Sequence, residues 1–384
     1  MTAATRTENP TAEGPTLFLA FELGESTWKL AFTTGRGQKA RVRTITGRQQ
    51  DAVLAEIERA KRQLGVPADG RVMSCYEAGR EGFWLHRWLV SCGVESRIVD
   101  AASIEVNRRL RRVKTDRMDA TRLLSLLVRF AEGEHGVWSV VHVPSSEQED
   151  RRHLHRELLT AKRDRTRIAN RIQGMLANQG VRVDWRKPLP AQLSALRLWD
   201  GSALPTGLRE RLGREWDRLA LLHQQVEQLE RVRREQIREA ADPASEKAKR
   251  LVALKGVGSN SAWLYVMEFF SWRQFRNRRE VGALAGLTPT PYQSGDSSRE
   301  QGIAKSGNRH VRAMAIEIAW GWLRFQPKSA LARWYEERFG RGSSRLRRIG
   351  IVALARKLLI ALWRYLETGV LPEGAELKSQ AHVR

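Results

Sequence analysis

LFLAFELGESTWKLAFTT, residues 17–34, holds two short apolar runs around a Gly-containing turn. Leu17–Leu23 is brief, apolar and aromatic-bearing, the pattern of a buried strand, and Trp28–Thr34 reads as its hairpin partner. Outward from this pair, Ala40–Thr46 (ARVRTIT) alternates at period two and predicts a third strand. Asp51–Leu64 places Val53, Leu54, Ile57, Ala60 and Leu64 along one side of a helix. Arg71–Glu77 (RVMSCYE) and Glu95–Val99 read as strands, Gly82–Cys92 and Thr115–Phe130 as helices. The order is three strands, helix, strand, helix, strand, helix, which predicts an α/β domain over residues 16–145.

Beyond that the pattern changes. Leu154, Leu158, Ala161, Ile168, Ile172 and Met175 recur at a 4,3 spacing, with Arg165 at the one interrupted position. Leu208, Leu212, Trp216, Leu219, Leu222, Val226, Leu229 and Val232 repeat it after a Pro- and Gly-containing loop. Two long helices with narrow apolar seams predict an antiparallel hairpin or coiled coil over 146–250. Asp242–Pro243 reads as a linker to a compact, mostly helical region at 251–370. Residues 1–15 and 371–384 read as tails. The expected fold class is multidomain α/β plus α.

The chain has 67 Lys and Arg against 43 Asp and Glu, a formal net charge of +24, and 54 of the basic residues are arginine. A charge of that size favours a polyanionic partner, and guanidinium groups bind phosphate bidentately and stack on bases. Nucleic acid is the expected partner. Arginine-rich codon usage is the plainer source of the same bias. Two cysteines are too few for a disulfide framework and suit a reducing compartment. The polar start has no signal-peptide core and no apolar run reaches membrane-span length. A cytoplasmic, nucleoid-associated prokaryotic protein with no membrane partner is expected.

Four acids fall where a metal site would form: Glu22 in the first strand, Glu77 ending the fourth, and Asp116 and Asp119 in KTDRMDA. Residues i and i+3 share a helix face, so the two aspartates point the same way. Oxygen ligands from separate elements suit Mg²⁺, with Mn²⁺ as an alternative, and a pair of such ions stabilises attacking and leaving oxygens in phosphoryl transfer. Each acid alone reads as a surface charge. The apolar strand settings of Glu22 and Glu77 strengthen the set, because a buried, unpaired carboxylate is costly.

On the strand and helix order above, this set resembles an RNase H-like (RuvC-type) nuclease domain. YEAGREGFWLHRWLVSCGV (76–94) followed by RRVKTDRMDATRLL (111–124) narrows the likeness: the chain resembles the DEDD transposases of insertion sequences, relatives of the Piv-type invertases and described as bridge-RNA-guided recombinases. The resemblance implies that Glu22, Glu77, Asp116 and Asp119 are the metal ligands, with Lys114 and Arg117 beside them on nucleic acid. Where the family usually opens with Asp in a GIDVSK-like strand, this chain has Glu22 in AFELGES.

LKGVGSNSAWLYVMEF (254–269) puts a Gly-x-Gly turn before an apolar helix and resembles a helix-hairpin-helix element, whose turn amides contact phosphate. FRNRREVGALAGLTPTPYQSGDSSREQGIAKSGNRHVRAMAIEIAW (275–320) is similar to the C-terminal domain of the same transposases, with Ala304 where Ser often precedes the lysine. The likeness implies that Ser294 is the nucleophile. A serine hydroxyl needs activation, and Ser297, Ser298 and Ser306 are rivals on spacing alone. Lys305, Asn308, Arg309 and Arg312 are candidates for DNA phosphate. Arg163, Arg167 and Arg171 are candidates for a backbone-gripping face of the first long helix, whose plainer reading is a solvated charged face. Trp320, Trp322, Trp334 and Trp363 read as core. His135, His142, His153 and His155 form no defensible metal set.

The expected function is site-specific DNA recombination for an insertion sequence. A structured guide RNA would pair with donor and target DNA, Ser294 would form a phosphoserine link, and dimers would pair into a tetramer. Ser294 and the acids lie in different domains, so a working site that joins two protomers is the expectation. The rivals are a metal-dependent nuclease of junction-resolvase type that hydrolyses DNA with water, and a non-catalytic RNA-binding protein. A proofreading-type exonuclease fits poorly, since Gly24 stands where its second first-strand acid belongs.

Overall fold

The computed structural model describes residues 14–105, 115–294 and 297–379, and over 292–301 the description is of the backbone. The chain divides into two compact units, Met1–Pro144 and Ser145–Arg384.

The first unit is built on strands β1 (Leu17–Leu23), β2 (Thr27–Thr33), β3 (Arg41–Thr46), β4 (Val72–Glu77) and β5 (Glu95–Val99), with helices α1 (Gln50–Leu64), α2 (Trp84–Ser91) and α3 (Asp116–Ala131). The sheet order is β3-β2-β1-β4-β5. The first three strands are antiparallel, and β4 and β5 run parallel to β1. Gly24 makes the first turn possible: its amide donates to the Thr27 carbonyl at 3.1 Å, and a Cβ there would stand 2.5 Å from that oxygen. The return to a parallel β4 requires a crossover, which α1 supplies, ending at Gly65 in the left-handed conformation.

Both faces of this sheet are covered, which is why its strands read as apolar runs. Leu19, Phe21, Trp28, Leu30 and Tyr76 pack with Val53 and Ile57 of α1 and Leu85 and Leu89 of α2. Phe18, Ala20, Ala31, Met73 and Cys75 pack with Ala120, Leu123, Leu124 and Leu127 of α3. The helix expected from Gly82 begins at Trp84. Gly82 has φ +60° and sits in a turn held by the Tyr76 hydroxyl, which donates to the Gly82 carbonyl at 3.0 Å.

The second unit opens with α4 (Ser146–Ala177) and α5 (Thr206–Glu239). Ser145 starts α4 in a full capping box with Gln148. Arg171–Glu215 and Lys162–Glu230 ion pairs show that the two helices run antiparallel. Ile168 and Ile172 meet Leu212 and Leu219 along the expected seam, which ends on buried Leu176 while the expected Met175 is only half-buried. At the start of that seam, however, Arg152 and His155 are buried while Leu154 is half-buried.

There follow α6 (Pro243–Val252), α7 (Ser259–Tyr265), a π-helical turn at Val266–Phe270, α8 (Arg278–Leu284), β6 (Pro289–Ser294), β7 (Ser297–Ile303), α9 (Arg309–Phe325), α10 (Ala330–Tyr335), a second π turn at Glu336–Gly340, and α11 (Ser344–Thr368). Trp263, Phe269, Phe270, Trp322, Leu358 and Leu362 belong to one core, with Trp334 and Trp363 packed at its margin. Trp320 is not core: it is 46% exposed, because α9 turns its 311, 315, 318, 322 face inward. Among the described residues no helix is long and apolar enough to cross a membrane.

Ile172 is fully buried in the α4–α5 seam. An Ile172→Ala variant should lose about 2–5 kcal/mol of stability. Chemical denaturation of the second unit's transition checks this, and the first unit's transition should stay in place.

Candidate functional site

Alternation along the strands decides where the acids point. Phe21 pairs in register with Tyr76 between parallel β1 and β4, so the next residues on the two strands are Glu22 and Glu77. Phe21 and Tyr76 face α1 and α2, so the two glutamates belong to the opposite face, the one α3 covers. The direction of α3 follows from its far end. Arg36, in the turn between β2 and β3, pairs with Glu132 and with Glu134, just past the α3 C-terminus. That turn lies at the start of β1. The N-terminus of α3, with Asp116 and Asp119 in its first turn, therefore lies toward the end of β1 and β4 that carries Glu22 and Glu77. Thr115 caps it, its hydroxyl accepting from the Met118 amide at 3.3 Å.

Glu22 and Asp119 are half-buried, whereas Glu77 and Asp116 are exposed. The expected burial of both glutamates thus holds for Glu22 only in part and not for Glu77, because β4 reaches solvent at its last residue. Among the described residues no three acidic, histidine or cysteine side chains stand close enough together to hold a metal ion. The donor set is nonetheless all oxygen and shares one face and one end of the sheet, which fits a hard cation such as Mg²⁺. Arg117 is exposed on the same first turn, and Lys114 lies outside the described residues.

In the second unit, Ser294 ends β6 and its backbone pairs with Ser297 at the tip of the β6–β7 hairpin. The base of the hairpin is Pro289 with Ile303, followed by the Ala304 amide donating to the Thr288 carbonyl at 2.9 Å. At about 3.3 Å per residue, the tip stands on the order of 15 Å from that base.

At the base the chain forms a knot. Lys305 is left-handed at φ +57°, its amide donating to the Gly286 carbonyl at 3.2 Å and its carbonyl accepting from Arg312 Nη1 at 2.9 Å. A Cβ on Gly307 would stand 2.2 Å from the Leu284 carbonyl oxygen, and one on Gly286 would stand 2.1 Å from that of Ser306. The stretches GLTP (286–289) and KSGN (305–308) are thus two halves of one backbone contact.

The knot sorts the expected phosphate ligands. Lys305 and Arg309 present exposed cationic side chains. Arg312 is engaged on the carbonyls of Ala285 and Lys305. Asn308 caps α9, its Oδ1 accepting from the His310 and Val311 amides, while its Nδ2 donates to Glu268 Oε2 at 3.3 Å. On α4, Arg167 pairs with Asp164 and Arg171 with Glu215, whereas Arg163 is exposed with no ion-pair partner among the described residues.

The partner of Asn308 is a residue that sequence reasoning missed. Glu268 is 1% exposed and lies in the π-helical turn after α7. Arg156 of α4 grips it with two hydrogen bonds, Nε to Oε1 at 2.8 Å and Nη2 to Oε2 at 3.1 Å. Burial pushes the Glu268 carboxyl up, but Arg156, with Arg152 and Asn308, outweighs burial and holds it below the usual carboxylate range. Neighbouring His155 is fully buried, with neither ring nitrogen hydrogen-bonded among the described residues, and burial lowers its pKa to about 4. The one signal in the sequence was a lone acid inside the apolar run VMEFF.

Residues 248–335, which include the knot and the hairpin, match the family described as "Transposase IS116/IS110/IS902 family". The whole chain is 39% identical to "Putative transposase y4rJ" of Sinorhizobium fredii (strain NBRC 101917 / NGR234), over 99% of this chain and 100% of that protein. It is 29% identical to a "Probable family 20 transposase" of Pseudomonas aeruginosa, over 59% of this chain and 66% of the relative. Identity to the "Transposase for insertion sequence element IS1328" of Yersinia enterocolitica is 27%, over 55% and 60%. The class is thus that of insertion-sequence transposases. Within it, the chain belongs to the IS110/IS116 family, which bears out the coarse form of the resemblance seen in the sequence.

Two outcomes check this geometry. Gly307→Ala places a methyl group against the Leu284 carbonyl at φ +91°, so it should cost at least 1–3 kcal/mol, read as a lowered melting temperature. His155 has a folded-state pKa below its unfolded value of about 6.5, so above pH 6.5 it is neutral in both states. As pH falls toward 4 only the unfolded chain takes up the proton, and stability drops by roughly 3 kcal/mol. Denaturation at pH 7 and pH 4.5 should show that drop shrinking in His155→Leu.

Proposed function

We propose that this transposase cuts and rejoins DNA through a covalent link to Ser294, assisted by a divalent cation on the first unit's acids. The observation that supports the metal half is the shared direction described above: by the register of β1 with β4 and the run of α3, Glu22, Glu77, Asp116 and Asp119 lie toward one face and one end of the sheet. The sheet order, with an antiparallel trio followed by two parallel strands, supports an RNase H-like (RuvC-type) reading of this unit.

In this proposal the four carboxylates would hold Mg²⁺ or Mn²⁺, which would supply charge stabilisation at a phosphate undergoing displacement. Arg117, on the first turn of α3, would hold the nucleic-acid backbone beside them, and the same role is proposed for Lys114 from its place in the sequence. Ser294 Oγ forms a bond to the scissile phosphorus and the sugar oxygen of the cut strand leaves with a proton. The energy of the broken ester is kept in the phosphoserine, and attack by a second strand's hydroxyl restores the serine. Lys305 and Arg309 at the hairpin base hold flanking phosphates. Donor and target DNA are brought together by base pairing to a structured guide RNA, which the protein recognises by shape and backbone. Dimers joining into a tetramer on the DNA would bring donor and target together at these sites.

Water-dependent hydrolysis by the acids alone is the competing chemistry. To separate the two, the purified chain with its co-purified RNA is incubated with a donor–target DNA pair and Mg²⁺, and denaturing gels are read for a protein–DNA adduct. The parent should give an adduct that maps to Ser294. Ser294→Ala should abolish adduct and strand cleavage together, and Glu77→Gln or Asp116→Asn should lower both at least tenfold. Cleavage that persists in Ser294→Ala without any adduct would sink the serine mechanism and leave the hydrolytic one.

A further inference from the structure

The long α4–α5 hairpin draws attention for its arginines, yet Arg167, Arg171 and Arg218 on it are ion-paired. A denser set of unpaired positive charge lies elsewhere. Between Glu337 and Glu367 the sequence has no acidic residue. Its first eleven positions, RFGRGSSRLRR, hold Arg338 and Arg341 ahead of α11 and Arg345, Arg347 and Arg348 in its opening turns. All five arginines are exposed. None of their guanidinium groups has an ion-pair or side-chain hydrogen-bond partner among the described residues. The segment itself is anchored: Ser343 caps α11 by accepting from the Leu346 amide at 3.3 Å, and Tyr335 donates its hydroxyl proton to the Arg347 carbonyl at 3.2 Å. Phe339 packs against Trp334 and Tyr335, with Gly350 closely backed by its ring.

We propose that this arginine face, at residues 338–348, is a docking surface for the sugar–phosphate backbone of duplex DNA, an inference that rests on the DNA-joining function above. Five like charges on an anchored segment repel one another unless an anion lies between them, and a polyanion answers several at once. Leu346 and Ile349 are the exposed apolar neighbours, at 41% and 51%, and no aromatic ring among residues 338–349 is exposed. Unpaired bases are gripped by stacking on aromatic side chains, whereas a regular duplex is held mainly through its backbone. The absence of a stacking platform on this segment points to a duplex, and the DNA-joining function makes that duplex DNA. The face adds register and affinity and does no chemistry, so it holds the duplex flanks.

The test uses the full chain and measures affinity for a mixed-sequence DNA duplex across a series of salt concentrations. Each phosphate contact contributes about −0.9 to the slope of log affinity against log salt. Arg341→Gln/Arg345→Gln/Arg348→Gln should therefore give a slope shallower by about 2.7. Over a fourfold rise in salt the parent should lose roughly 40-fold more affinity than this variant. The melting temperature should not fall, since all three side chains are solvated and their mutual repulsion is relieved. Should the triple variant melt early, Arg338→Gln/Arg347→Gln provides the same reading, with a slope shallower by about 1.8. An unchanged slope overturns the proposal, as does a slope that falls for structured RNA and not for duplex DNA. Ser294→Ala should bind the duplex with the parent slope, so failure of the covalent mechanism and failure of this surface are read separately.

Discussion

The in-register pairing of Phe21 with Tyr76 is the constraint on which the first unit's proposed chemistry rests. Side chains alternate along a strand, so a slip of one residue between β1 and β4 would send either Glu22 or Glu77 to the wrong face. Two contacts on opposite faces prevent it. Tyr76 is buried against α1 and α2, with its hydroxyl fixed by the Gly82 carbonyl and the His86 amide. Cys75, on the other side, lies against α3, its thiol 3.8 Å from the Leu123 carbonyl. Because burial is complete on both faces, neither a tyrosine nor a cysteine can exchange sides. The polar end of the pair then has one arrangement, with α3 delivering its first-turn aspartates to it.

The second unit has a different kind of constraint, an ionised carboxylate inside the core. A buried charge survives only when paired and hydrogen-bonded, and removing one partner is commonly far costlier than the pair is worth. Glu268 meets this condition by drawing on two distant elements, Arg156 from α4 and Asn308 from the start of α9. The π turn that carries Glu268 aims it between them, a distortion of the kind found at positions with a special task. Through Asn308 the cap of α9 is fixed, and one residue upstream of that cap Gly307 closes on Leu284. The long hairpin and the base of the serine ribbon are therefore linked through one side chain. This makes Glu268 a positioning element for the loop that exposes Lys305 and Arg309.

Most of the secondary structure was legible because it follows from local pattern. The apolar runs of β1 and β4, the Gly24 turn and the seams of α4 and α5 are all set by neighbours within a few residues. The misreadings arose where distant partners decide. Trp320 looked like its neighbour Trp322, but which face of α9 turns inward depends on α11 and α7, far away in the sequence. Asn308 and Arg312 stood as candidates for DNA phosphate, and the fold adds that they are engaged on Glu268 and on the Lys305 carbonyl. Glu268 itself was invisible, since Arg156 lies 112 residues before it. The placement of the four acids was legible as a set of strand and helix ends, while the direction of α3 needed the Arg36 pairs with Glu132 and Glu134.

The excess of positive charge takes on a different meaning once pairing is counted by location. A net charge of +24 says that many arginines must lack acidic partners, but not which. On the α4–α5 hairpin, Glu215 alone answers Arg171 and Arg218, and Glu230 answers Lys162 and Arg234. Part of that region's basic charge thus holds two helices together and is worth little as a polyanion grip, since an arginine already bridged must break one contact to make another. Free guanidinium groups carry no such cost. The functional share of the charge is therefore the unpaired share, and it gathers where the chain has omitted acids over a long stretch, as it does between Glu337 and Glu367.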